Sequence, residues 1–222
     1  MAIRVKEMLI TNHNRPGKKI IKLKGVVIHW TGNIAIGANA LANRHYFNNT
    51  KNAASVHYIV DDTNILRCIP DDEIAYHVGA KKYAAAGLKI KEGNYSPNYF
   101  LIGIKMCVNS DGDWNKTCQN TVELAAYLLK KYNLNVENLY RHYDITGKDC
   151  PKMMLDPNEW QAFKDKVSKM MDEIKLVINR ELVIIDKIVK NNMIYVPIRE
   201  MFQIIDADIS WNHQKKIAYI IV

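Results

Sequence analysis

The chain of 222 residues is poor in residues that interrupt secondary structure, with 10 Gly and 6 Pro, and it has no internal repeat or low-complexity tract. Fibrous and disordered classes are thereby excluded. What remains is an ordinary globular composition, 48% hydrophobic and 24% charged, long enough for one medium and one small domain. Its four cysteines, Cys68, Cys107, Cys118 and Cys150, lie far apart and include no CxxC pair. No disulfide framework is expected, and any special thiol is a ligand or a nucleophile. No apolar stretch approaches the roughly 20 residues that span a bilayer. The opening residues MAIRVKEMLI interleave charges with apolar side chains and offer no small-residue cleavage site. Neither a signal peptide nor membrane insertion is expected, so the chain is read as made in the cytoplasm. Basic runs interleaved with aromatics are also missing. The net charge of +8 rests on scattered lysine pairs such as Lys18-Lys19 and Lys81-Lys82. It suits polyanions or simply a solvated surface, and no nucleic-acid partner is expected.

The patterning predicts an α/β domain over residues 1–174, a mixed central β-sheet flanked by helices, followed by a small β-rich unit over 175–222. Val26-Val27-Ile28 between Gly25 and Gly32 reads as a buried strand. Ala38, Leu41, Ala42, His45 and Tyr46 predict an amphipathic helix over 37–47, with His45 on its packed face. Strands are expected over 55–60 and 65–69, joined by the turn Asp61-Asp62-Thr63-Asn64. Residues 70–97 are loop-rich, with room for a short helix. A strand over 99–108 and helices over 117–132 and 156–174 follow, the last opened by Asp156-Pro157. Beyond Lys175, strands are expected over 176–179, 181–185, 193–196, 209–211 and 217–222, with a short helix over 198–205.

The residues with chemistry are few. His29 ends the first strand, and Trp30, Thr31 and Gly32 begin a loop. Far downstream, RHYDITGKDCP places His142 and Cys150 eight residues apart. Gly147 and Pro151 are expected to hold that segment as a loop. Imidazole and thiolate are good zinc ligands, and three of them leave the fourth tetrahedral position for water, as in a catalytic site. A histidine at a strand end can equally be a satisfied structural residue. His57 is read as a buried, hydrogen-bonded imidazole, and Cys68, Cys107 and Cys118 as core thiols.

The segments VVIHWTG, SVHYIVDD, AYHVGA, YFLIGIKMCVNSDG and LYRHYDITGKDCP, in that order, resemble the type 2 N-acetylmuramoyl-L-alanine amidases. That family includes phage endolysins and peptidoglycan recognition proteins, and the resemblance spans about residues 20–165. It implies a zinc cofactor held by His29, His142 and Cys150. It also implies hydrolysis of the amide between the lactyl group of N-acetylmuramic acid and L-alanine, with peptidoglycan as partner. Lys148, two residues before Cys150, is placed to stabilise the oxyanion. His77 matches a position lining the substrate cleft, where substrate contact and a structural hydrogen bond are both open, and Trp30 and Thr31 join it as expected substrate contacts.

One position departs from the pattern. Close relatives carry Glu where this chain has Lys105, and other branches offer a Tyr where Val56 stands. An ammonium cannot accept a proton and repels a metal ion, and a missing general base costs about 10²- to 10⁴-fold in rate. A strongly impaired copy is expected unless another carboxylate, with Glu92 as the candidate, takes over. The alternative is a peptidoglycan-binding module that does not cut. The stretch MIYVPIREM followed by Ile209-Ser210-Trp211-Asn212 resembles the small stalk domain named after copper amine oxidase N-termini. It implies attachment to secondary wall polymers, with dimerisation or plain stabilisation as the competing roles. The enzyme is then expected to act on the wall after release by a route other than Sec export.

Overall fold

The computed structural model describes residues 4–172 and, beyond them, 176–178, 181–183, 188–190, 193–195, 208–212, 214 and 217–221. The chain divides into two compact units, Ala2–Asp172 and a second made of Glu173–Val222 with Met1.

In the first unit the elements run β1 (Val5–Glu7), β2 (Gly25–Trp30), α1 (Ala40–Asn49), β3 (Tyr58–Val60), β4 (Ile65–Arg67), α2 (Ala85–Ile90), β5 (Leu101–Met106), α3 (Trp114–Lys131), β6 (Leu139–Arg141), α4 (His142–Thr146) and α5 (Pro157–Asp172). Six strands form one mixed sheet in the order β1-β4-β3-β5-β2-β6. The hairpin pair β3–β4 is antiparallel, while β1–β4, β3–β5, β5–β2 and β2–β6 are parallel. The expected mixed sheet flanked by helices is the fold observed.

Strand alternation decides what each face carries. Val26 and Ile28 of β2, and Ile102, Ile104 and Met106 of β5, pack against Val122, Leu124, Ala125, Leu128 and Leu129 of α3 and Trp160, Phe163 and Val167 of α5. The intervening residues point the other way. Val27 and Leu101 meet Val78, Ile90, Phe100 and Ile145, and Ile59 and Leu66 meet Ala40 and Phe47. The central strands are therefore apolar on both faces, as buried parallel strands are. His29 and Lys105, partners in the β2–β5 register, lie on the face away from α3 and α5.

A buried carboxylate ties the sheet to the end of α3. Asp71, its side chain 7% exposed, accepts from the Tyr132 hydroxyl (2.7 Å), the Lys131 ammonium (2.8 Å) and the Tyr58 hydroxyl. Burial pushes this carboxyl up, but the hydrogen bonds from Lys131, Tyr58 and Tyr132 outweigh it and hold it below the ordinary carboxylate value. Asp71→Asn, which replaces an acceptor of charge-assisted bonds with a neutral amide, is expected to cost about 2–3 kcal/mol at pH 7. A depressed folded pKa contributes stability that is complete above the unfolded value of about 4 and is lost as pH falls through the folded value. Urea denaturation should therefore show the gap between wild type and variant narrowing in acid. A gap of unchanged size at low pH would contradict this assignment.

The sequence-based expectations err in instructive places. Helix α1 begins at Ala40 rather than residue 37, because the Asn39 side chain caps it by accepting from the Ala42 amide, with Gly37 in the left-handed region just before. The packed face is then Ala40 and Phe47, and His45 is exposed rather than packed. The expected strand over 55–60 joins the ladder only at Tyr58–Val60. The segment after Arg141 is not a loop from the start: His142 opens the one-turn helix α4, which ends at Gly147 with φ 78°. The expectations also passed over β1 and β6, both three-residue strands.

In the second unit three antiparallel ladders are described: β7 (Leu176–Ile178) with β8 (Glu181–Val183), β9 (Ile188–Lys190) with β10 (Met193–Tyr195), and β11 (Asp208–Asn212) with β12 (Ile217–Ile221). The helix expected over 198–205, and much of the stretch that carries the stalk-domain resemblance, lies outside the described residues. No helix among the described residues is long and apolar enough to cross a membrane.

Candidate metal centre and cleft

Sheet register by itself brings two of the predicted donors together. β2 and β6 run parallel with Ile28 beside Arg141, so the next residue of each chain segment, His29 and His142, meets the other at the sheet's end. Their Nδ1 atoms are 3.1 Å apart. The third donor returns over the left-handed turn at Gly147, and the Cys150 carbonyl accepts from the Tyr143 amide at 2.9 Å. That bond sets the Cys150 sulfur 3.8 Å from His29 Nδ1. One ligand atom from each of His29, His142 and Cys150 lies within 4.8 Å of the others, and all three residues are buried.

Arg141 fixes this corner. Its backbone amide and its guanidinium both reach the Asp144 carboxylate, at 2.8 and 2.7 Å, and the guanidinium also donates to the Met154 carbonyl at 2.8 Å. One side chain thus joins the strand before His142, the helix containing it and the segment after Cys150. Sequence reasoning passed over Arg141, although the i,i+3 Arg–Asp spacing in RHYD was the available signal.

The electrostatics suit metal binding. Burial drives His29 well below the ordinary histidine value, helped by His77, His142, Lys105 and Lys148. Burial, with Lys148 and Lys105, lowers His142 to about 4. Both imidazoles are neutral at pH 7 and keep a lone pair. Burial raises the Cys150 thiol, while the Trp30 backbone amide, Lys105 and Lys148 favour its thiolate. Two neutral imidazoles and one thiol that cations help to ionise, converging with no carboxylate among them, fit a tetrahedral zinc site with one position open.

These donors line a cleft of about 660 Å³ that also contains Trp30, Thr31, His77, Lys105 and Lys148. Every residue expected as a ligand, catalytic group or substrate contact, the substitute acceptor Glu92 aside, therefore lines this cleft. Thr31 Oγ1 is buried with no hydrogen-bond partner among the described residues. Trp30 is shared with a neighbouring apolar groove lined by Ile34, Trp114 and Met153. Lys105 sits with its ammonium 4.9 Å from the centre of the Phe47 ring, and burial lowers its pKa. Glu92, considered as a substitute acceptor, is ion-paired to Lys24 at 2.6 Å and does not line the cleft. The acidic residue that does line it, missed in the sequence, is Asp149, and Tyr76 lines it as well.

His57 is buried and hydrogen-bonded on both nitrogens, accepting from the Gly103 amide at 3.0 Å and donating to the Glu73 carbonyl at 2.8 Å. The structural reading of His57 holds. His77 is buried behind His29, with Nδ1 3.0 Å from His29 Nε2 and Nε2 3.2 Å from the Leu101 carbonyl. Cys68 and Cys107 are buried, Cys118 is half-buried, and all are free thiols. Burial raises Cys68 to about 12 and Cys118 to about 11.

The family model described as N-acetylmuramoyl-L-alanine amidase matches residues 18–153. The chain is 36% identical over 168 residues to a probable N-acetylmuramoyl-L-alanine amidase of Bacillus licheniformis, covering 73% of this chain and 46% of that protein. It is 36% identical over 152 residues to the amidase XlyA of Bacillus subtilis strain 168, covering 68% and 46%. The chain thus spans about half the length of the curated relatives it matches. Among solved structures, the catalytic domain of XlyA superposes with a TM-score of 0.64 at 32% identity, over 74% of this chain and 99% of that one.

Proposed function

This chain belongs to the N-acetylmuramoyl-L-alanine amidase family, and from that premise we propose that it is a zinc hydrolase of peptidoglycan, an endolysin, cleaving the amide between the lactyl group of N-acetylmuramic acid and L-alanine. The observation that carries the reading is the convergence of His29, His142 and Cys150 within 4.8 Å at the floor of a cleft. Zinc bound there supplies a Lewis acid that activates water and polarises a carbonyl oxygen.

The chain's own residues supply the rest. Lys148 lines the cleft beside Cys150, and its ammonium stabilises the negative charge that develops on the amide oxygen only in the transition state. The unpartnered Thr31 hydroxyl and the Trp30 ring hold polar and apolar parts of the muropeptide. Lys105 cannot accept a proton when charged, so turnover is slow in this copy, on the order of 10²- to 10⁴-fold below a chain with a carboxylate there. A second reading, a binder that holds muropeptide without cutting it, is favoured by Lys105 alone. Residues 175–222 serve wall attachment in this reading, on the strength of their sequence resemblance.

Purified peptidoglycan incubated with the full-length chain should release new L-alanine amino termini, slowly. A chelator should abolish the release and zinc restore it. Co-sedimentation with walls and no amine release, even after prolonged incubation with zinc, would reject the enzyme in favour of the binder.

A further inference from the structure

Which nitrogen of His29 carries the hydrogen follows from a relay that begins outside the cleft. A carbonyl oxygen only accepts, so His77 Nε2, 3.2 Å from the Leu101 carbonyl, must carry the hydrogen of its ring. A neutral imidazole carries one ring hydrogen, so with Nε2 donating to Leu101 the buried His77 ring has a bare Nδ1. That bare nitrogen stands 3.0 Å from His29 Nε2. Two lone pairs cannot face each other at this distance, so His29 Nε2 is the donor. In the neutral His29 ring the remaining lone pair is then on Nδ1, which by the same rule accepts the Nδ1 hydrogen of His142 at 3.1 Å and lies 3.8 Å from the Cys150 sulfur.

The geometry assigns His77 the part of a positioning residue: by accepting from His29 and donating to Leu101, it fixes the His29 tautomer whose free lone pair points at the convergence of His142 and Cys150. A ligand held this way meets the metal with no rotation or proton shift, which is the service that hydrogen-bonded partners behind metal-binding histidines perform. The backbone is shaped for it. A Cβ at Gly103 would lie 2.7 Å from His77 Nδ1, so the strand passes the ring only as glycine. The same residue's amide holds His57 at 3.0 Å, and the His57 ring meets the His77 ring edge-on at 5.6 Å. His77 is thereby held from both sides. The assignment rests on the zinc reading above.

Two measurements on the full-length chain test it. The first is the ¹⁵N-histidine NMR spectrum of the metal-free wild type, in which His29 and His77 should both be protonated at Nε2. A His29 protonated at Nδ1 overturns the relay whatever any variant does. The second is zinc affinity by competition with a chromogenic chelator. His77→Leu, which removes the acceptor, should weaken zinc binding by about 10- to 100-fold. His77→Asn, whose side-chain oxygen can accept in place of Nδ1, should recover most of that loss, a pattern that mere packing would not give. Wild-type affinity in a folded His77→Leu chain overturns the assignment alone. Failure of the wild type to take up zinc overturns the metal reading and this inference with it.

Discussion

Cys150→Ser is expected to take this chain from one bound zinc to none and its release of L-alanine termini to background. The serine hydroxyl is a far poorer zinc ligand than a thiolate, and two imidazoles do not hold the ion tightly by themselves. A zinc Lewis acid held there would supply several kcal/mol of transition-state stabilisation, and at about 1.4 kcal/mol per decade its loss would be about 10³-fold or more in rate. His142→Ala should act alike, because His142 is one of the three convergent residues and its Nδ1 lies 3.1 Å from His29 Nδ1. Cys118→Ser is the control. Cys118 is half-buried in the α3 core and takes no part in the cluster, so zinc content and activity should persist. Metal analysis of the three purified variants decides the matter. Full zinc occupancy in Cys150→Ser would mean that the ion is held elsewhere.

Lys105→Glu is expected to produce the opposite result, a gain of about 10²- to 10⁴-fold in wall lysis. The register sets residue 105 directly beside His29, on the same face of the sheet. A carboxylate there would accept a proton from attacking water and would favour a bound metal ion that an ammonium would repel. The two effects are separable. Lys105→Met removes the positive charge without adding an acceptor, so it should tighten zinc binding yet leave turnover low. Equal gains in turnover from Met and Glu would show that charge, not proton acceptance, is what Lys105 withholds. No gain from Glu would remove Lys105 from the account of activity altogether.

Much of the site was legible because the donors are rare residue types at characteristic places. His29 follows a β-branched run, and His142 and Cys150 share one short segment with Gly147 and Pro151. The strands of the central sheet were legible for a related reason, since burial on both faces leaves continuous apolar runs such as Val26-Val27-Ile28. What escaped was set by long-range pairing. β1 and β6 are three residues each, too short for periodicity, and exist because β4 and β2 offer edges to pair with. Helix α1 was misplaced by three residues because the cap at Asn39 outweighed the apolar spacing that put His45 inside. The His77–His29 contact was invisible for the same reason, since only the folded sheet brings the two near, whereas Arg141 was overlooked despite its local i,i+3 pairing with Asp144.

The division of the sheet into two dissimilar faces has an evolutionary consequence. Residues on the α3–α5 face can be exchanged for others of equal volume, tuning thermal endurance without touching the reactive corner. The cleft side of the sheet can vary at positions such as Thr31 or residue 105 while the scaffold behind it stays as it was. A lineage can therefore explore chemistry and robustness on separate sets of positions, and an engineer can do the same.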